Sequence, residues 1–259
     1  MAFLQIDFFS SALQVGVSVN AIMPEAAAGA IGIDSAAAPD PPVLYLLHGL
    51  SDDHTIWMRR TSVERYAAAH GLAVVMPAVG RSFYCDMASG PAYWQYVSEE
   101  LPAFVEQSLQ VGRGRDKRFV AGLSMGGYGA MKLALTFPDR FAAAASFSGA
   151  LDMRERTQGG DLNRDMRLIF GDRPRVAGTQ NDTFHLAEST LSRGTALPAL
   201  YISCGTEDFL FEANERFHEH LVRLGIEHDY VTEPGEHEWG FWDRHVRAFL
   251  DRLAAWDLV

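Results

Sequence analysis

The residues with the clearest chemical meaning lie in RFVAGLSMGGYGAMKLAL, where Gly122-Leu123-Ser124-Met125-Gly126 forms a G-x-S-x-G set between an apolar strand pattern and an amphipathic helix pattern. A serine hydroxyl is a weak nucleophile, so acyl chemistry at Ser124 requires a base within reach and hydrogen-bond donors for the oxyanion. The turn that presents such a serine is crowded, and a side chain two positions to either side would collide with the neighbouring strand or helix. Gly122 and Gly126 meet that demand. At a helix start the serine also faces free amides and the positive end of the helix dipole, which favour developing negative charge.

In a strand–turn–helix setting of this kind the partners follow in the chain order serine, acid, histidine. The segment ALYISCGTEDFLF places Asp208 just past a strand end, and VTEPGEHEWGFW places His237 in a Gly-bearing loop after the last strand. His218, His220 and His245 fall within helix patterns and His228 at a strand start, so His237 is the expected base. Glu207 and Asp229 compete with Asp208 as the acid. Asp208 fits because the acid follows the strand before the final helix–strand pair; Glu207 reads as a solvated carboxylate. The backbone N–H of Met125, next after the serine, is one expected oxyanion donor. The second is the N–H of Leu50 in YLLHGLSDD, where Gly49 lets the backbone approach a substrate and His48 reads as a structural residue of the turn.

These residues need a scaffold that brings four distant loops together. Short apolar runs at 43–47, 73–77, 118–123, 142–147 and 199–205, with a last strand at 228–234, alternate with helix patterns near 61–69, 93–109, 126–136, 211–224 and 240–256. That rhythm predicts right-handed crossovers and a doubly wound, mostly parallel α/β sheet with the loops converging at its carboxyl edge, and the G-x-S-x-G set at a strand–helix turn makes the α/β-hydrolase fold the expected form of it. Leu13, Val15, Val17 and Val19 alternate with smaller or polar residues and predict an N-terminal antiparallel hairpin. Residues 25–42, rich in Ala, Gly, Pro and Asp, read as a surface loop with no assigned role. The polar, Gly-rich stretch 151–195 is too long for a simple connection and predicts a small helical excursion over the active site. No second boundary is visible, so 1–259 reads as one domain.

Composition narrows the partners. Of the 259 residues, 48% are apolar, enough for a large core, and the net charge of −11 disfavours nucleic acid and anionic membranes. A small ester is the expected substrate, and a homo-oligomer is compatible with the sequence. Cys85 and Cys204 are too few for a disulfide framework and lack metal-ligand spacing; no metal or cofactor is implied, and a reducing cytoplasm suits the chain. The N-terminal residues lack a basic start and read as strand rather than signal peptide, and no run approaches the ~20 apolar residues of a membrane helix.

With these residues in place, the chain resembles the esterase family that includes esterase D, S-formylglutathione hydrolase, the antigen 85 mycolyltransferases and bacterial tributyrin esterases. The likeness rests on YLLHGLSDDHTIW, SFYCDM, YVSEELPAFVEQ, AGLSMGGYGAM, FPDRFAAAASFSG, CGTEDFL and GEHEWGFW. It is greatest to the tributyrin-esterase branch, and it implies hydrolysis of short acyl esters with a triad on Ser124, Asp208 and His237 and oxyanion amides on Leu50 and Met125. S-formylglutathione hydrolases carry a Cys-Thr pair after the oxyanion loop where this chain has Ser51, Asp52 and Asp53, which weakens a thioesterase reading. Such a site would also need cations for the glutathione carboxylates, with Arg59, Arg60 and Arg81 the nearest in sequence. An acyltransferase and a non-catalytic binding protein on the same scaffold are the remaining alternatives, the latter disfavoured by an intact triad.

Overall fold

The computed structural model describes residues 1–26, 38–158 and 162–259. Alternation along the strands decides how its core divides. In β3 (Val43–Leu47), Val43, Tyr45 and Leu47 enter one apolar cluster while Leu44 and Leu46 enter another on the opposite face of the sheet. Because both faces are covered, the central strands β3, β4 (Ala73–Pro77), β5 (Arg118–Leu123) and β6 (Ala143–Phe147) are buried at every position.

The eight strands form a single sheet in the order β1-β2-β4-β3-β5-β6-β7-β8, with β1 (Ala2–Ser10), β2 (Val15–Met23), β7 (Ala199–Gly205) and β8 (Asp229–Glu233) completing it. β1 and β2 form the expected antiparallel hairpin, β2 runs antiparallel to β4, and all other neighbours are parallel. Leu13 lies in the hairpin turn, not in the strand. Glu100 holds that turn, accepting from the Ser10 hydroxyl at 2.5 Å and the Ser11 N–H at 2.6 Å.

On one face α1 (Ile56–Arg60), α2 (Val63–Ala69) and α10 (Trp239–Ala255) cover the sheet. On the other lie α4 (Leu101–Leu109), α5 (Met125–Thr136) and α9 (Phe211–Leu224). The helix expected over 93–109 is continuous but not uniform: α3 (Tyr93–Gln95) passes into α4 through a π-turn at Tyr96–Glu100. The excursion contains α6 (Met153–Thr157), α7 (Arg164–Phe170) and α8 (Thr183–Ser192). Arg156 of α6 lines the Ser124 cleft, and α7 reaches its Leu50 edge through Asp165 and Arg81. α8 packs along α5 instead, with the Thr190 hydroxyl donating to the Leu135 carbonyl at 2.6 Å. Of the surface loop expected over 25–42, residues 27–37 lie outside the described residues.

Strand register aligns the loops that carry chemistry. Leu47 pairs with Gly122, Leu123 with Phe147, Phe147 with Ser203 and Gly205 with Glu233. The chain therefore leaves β3, β5, β6, β7 and β8 at one edge, immediately before Gly49–Leu50, Ser124, Ser148, Asp208 and His237.

Candidate active site

Ser124 occupies φ 52°, ψ −115°, a conformation that L-residues avoid, directly between β5 and α5. The surroundings hold it there. Its N–H donates to the Phe147 carbonyl at 2.9 Å, and its carbonyl accepts from Ala150 at 3.0 Å and Tyr128 at 3.1 Å. A Cβ on Gly122 would lie 2.5 Å from the Gly126 carbonyl, and one on Gly126 only 2.4 Å from the Leu47 carbonyl. The two glycines are steric necessities of the turn. Gly126→Ala must push α5 away from the end of β3; overpacking of this kind costs about 1–3 kcal/mol, so a drop of several degrees in Tm together with reduced ester turnover is expected by calorimetry and assay.

His237 Nδ1–H donates to Asp208 Oδ2 at 2.8 Å, and Asp208 Oδ1 accepts from the Leu210 N–H at 2.8 Å. The Asp208 side chain is fully enclosed, while that of His237 keeps 18% of its surface open to solvent. Burial pushes the Asp208 carboxyl upward, but hydrogen bonds from His237, the Leu210 N–H and the Ser148 hydroxyl outweigh it and hold its pKa below the ordinary value. The carboxylate stays charged and fixes the imidazole with its other nitrogen turned away. The imidazole is clamped between Trp242, edge-on at 4.8 Å, and Phe209 at 4.5 Å.

Ser124 and His237 line one cleft of about 510 Å³ with Gly49, Leu50, Ser51, Asp52, Phe83, Leu123, Ala150, Arg156, Phe209, Glu238, Trp239 and Trp242. The turn at Gly49 is closed by the Asp52 N–H donating to the Gly49 carbonyl at 3.2 Å, and a Cβ on Gly49 would meet Leu123 at 2.6 Å. Met125 opens α5, where an N–H has no acceptor within the helix. His48, buried beneath this turn, accepts from the Val79 N–H through Nε2 at 3.0 Å, which leaves Nδ1–H to donate to the Gly49 carbonyl at 2.7 Å. Burial lowers its pKa, and the neutral ring braces the loop.

Three features escaped the sequence reading. Glu207 is exposed as expected but not idle: it accepts from the Gly235 N–H at 2.6 Å while its own N–H donates to the Gly235 carbonyl at 3.1 Å, buttoning the Asp208 loop to the His237 loop. Ser148, at φ 48°, accepts from Trp242 Nε1 at 3.2 Å and thereby links the imidazole's neighbour to Asp208. Trp242 packs on the imidazole, while Trp239 stands edge-on to Trp57 and Trp242. Arg59, Arg60 and Arg81 are absent from the cleft lining, and Arg81 pairs with Asp165 at 2.7 Å while donating to the Leu50 carbonyl at 3.3 Å.

Residues 33–253 match the model of the family described as "Putative esterase". The chain belongs to that family. It is a carboxylic ester hydrolase of the α/β-hydrolase fold. An acetyl esterase of Caldicellulosiruptor saccharolyticus is 28% identical over 255 residues, covering 95% of this chain and 96% of that protein. Among solved structures, the substrate-bound fluorophosphonate-binding serine hydrolase F of Staphylococcus aureus superposes with a TM-score of 0.88 at 32% identity, over 100% of this chain and 98% of that one. An S-formylglutathione hydrolase of S. aureus gives a TM-score of 0.85 at 33% identity, over 100% of this chain and 99% of that one. Among the described residues of the esterase, no cluster of three or more His, Cys, Asp or Glu side chains is arranged to hold a metal, and no helix is long and apolar enough to cross a membrane.

Proposed function

We propose that the protein is a serine carboxylesterase that hydrolyses short-chain acyl esters through an acyl-enzyme. The observation that carries this reading is the 2.8 Å contact between His237 Nδ1 and a buried, charged Asp208, opening on the cleft that Ser124 enters from its strained turn. His237 Nε2 takes the hydroxyl proton as Ser124 attacks the ester carbonyl, and the N–H groups of Leu50 and Met125 receive the oxyanion. The imidazolium then protonates the departing alcohol. Water enters, loses its proton to His237 and releases the acid. Asp208 stabilises the imidazolium in both halves.

The short-chain preference, the tributyrin-esterase affinity and a cytosolic location belong to this proposal. Similarity to an acetyl esterase along 95% of the chain supports the first. Two cysteines that are both free and buried suit a reducing compartment. A thioesterase is the second reading, favoured by 33% identity to an S-formylglutathione hydrolase over the whole chain.

The test is hydrolysis of 4-nitrophenyl esters from acetyl to dodecanoyl beside S-formylglutathione. The expected result is a maximum in kcat/KM at acetyl to butyryl, with a fall of about tenfold or more by octanoyl. A preference for the thioester by orders of magnitude would replace the proposal with its alternative.

A further inference from the structure

Arginines crowd the rim where the excursion meets the cleft, and nearly all are neutralised. Arg154 pairs with Asp152 at 3.2 Å and Asp182 at 3.7 Å, Arg216 with Asp152 at 3.2 Å and with Glu155, and Arg81 with Asp165. Arg156 differs. Its guanidinium makes no ion pair or hydrogen bond among the described residues; its recorded contact is the face of Phe83, 5.9 Å from the ring centroid. The adjacent carboxylate, Glu155, is held by Arg216. Arg156 is nonetheless half-buried, and burial works against its charge. A partly desolvated cation without an ion-pair partner among the described residues is destabilised, and a ligand anion would complete it.

Its position says where that ligand lies. Arg156, Ala150 and Phe209 line both the Ser124 cleft and a smaller adjoining cavity of about 210 Å³. The carboxylates that line the cleft, Asp52 and Glu238, make no ion pair with Arg156; both oxygens of Glu238 accept from the N–H groups of Gly240 and Phe241.

We infer that Arg156 is a specificity residue that receives a carboxylate of the substrate, so that the enzyme favours esters bearing an anionic group at the far end of the acyl chain or of the leaving group. The inference rests on the ester-hydrolase reading of the Ser124 cleft. A guanidinium and a carboxylate form a bidentate, charge-assisted pair that is stronger out of bulk water. With a net charge of −11, the surface as a whole repels anions, so a local cation is required to hold one beside Ser124.

Two matched pairs of substrates separate the sources of the carboxylate. 4-Nitrophenyl hydrogen glutarate against 4-nitrophenyl hexanoate tests the acyl side, and 4-acetoxybenzoate against phenyl acetate tests the leaving group. In Arg156→Met the anionic-to-neutral ratio of kcat/KM is expected to fall roughly 10- to 100-fold for one pair, with partial recovery in Arg156→Lys. Ratios unchanged within about twofold for both pairs would overturn the inference. Binding of glutarate and of 4-acetoxybenzoate to Ser124→Ala, with and without Arg156→Met, reads the same contact without turnover: weaker binding of either probe in the double variant supports it, and equal binding of both overturns it. Failure of the ester-hydrolase reading is distinct, because it appears as absence of Ser124-dependent turnover on the neutral members.

Discussion

Ser124→Ala is expected to lower kcat on 4-nitrophenyl acetate by roughly 10⁴- to 10⁶-fold, because the variant lacks the only atom able to form the acyl-enzyme in the proposed mechanism. Stability should change little. The strain at φ 52° belongs to the backbone between β5 and α5 and is imposed on alanine as on serine, and the bonds from the Ser124 N–H and to its carbonyl do not involve the side chain. The variant should therefore melt within a few degrees of the wild type, so that lost activity reports on chemistry rather than folding. Pre-steady-state release of 4-nitrophenol makes the check sharper: a burst is expected from the wild type and none from the variant. Retention of more than about 1% of turnover would remove Ser124 from the mechanism.

Asp208→Asn carries the second largest expected effect, a loss of about 10³- to 10⁴-fold in kcat. Asparagine preserves the shape and the acceptor for the Leu210 N–H, but its amide favours the wrong imidazole tautomer and offers no charge to the imidazolium. Glu207→Gln is the control. It keeps the contact to Gly235 in shape, so less than about a tenfold loss is expected; the opposite ranking would transfer the acid role to Glu207. Asp208→Asn also alters the acid limb of stability. The folded pKa of Asp208 lies below its ordinary value of 3.8, so its stabilising contribution is complete above that value and disappears as pH falls through the lowered one. The Tm gap between wild type and Asp208→Asn should thus narrow as the pH drops from about 6 to 3.

The pH dependence also touches the Gly49–Leu50 loop, which carries one of the proposed oxyanion donors. His48 accepts from Val79 through an unprotonated nitrogen, and its folded pKa is depressed by burial. Its contribution is present above the ordinary histidine pKa and is lost as pH falls through the depressed value. Acid therefore loosens the Gly49–Leu50 turn and the Asp208 clamp in the same direction.

Much of the architecture is local in origin and was legible from residue order alone. Five-residue apolar runs too short for buried helices, separated by helix-length amphipathic segments, determine a parallel sheet covered on both faces, and G-x-S-x-G between a strand and a helix determines where the serine stands. Order along the chain pointed to the loop after β7 and to His237 rather than the helical histidines, because loops after successive strands must emerge at one edge; it is the folded structure that puts Asp208, not its neighbour Glu207, against the imidazole. What residue order could not supply is side-chain placement across that edge. Which tryptophan packs on the imidazole depends on helical phase in α10, where residue 242 faces inward and 239 sits at the rim. The bracing roles of Ser148 and Glu207 arise from loops some thirty to ninety positions apart in sequence. The isolation of Arg156 is a property of its neighbours: among the described residues it is unpaired because Arg154 and Arg216 have taken Asp152 and Glu155, and only folding, which sets those distances, decides which charges are left for a substrate.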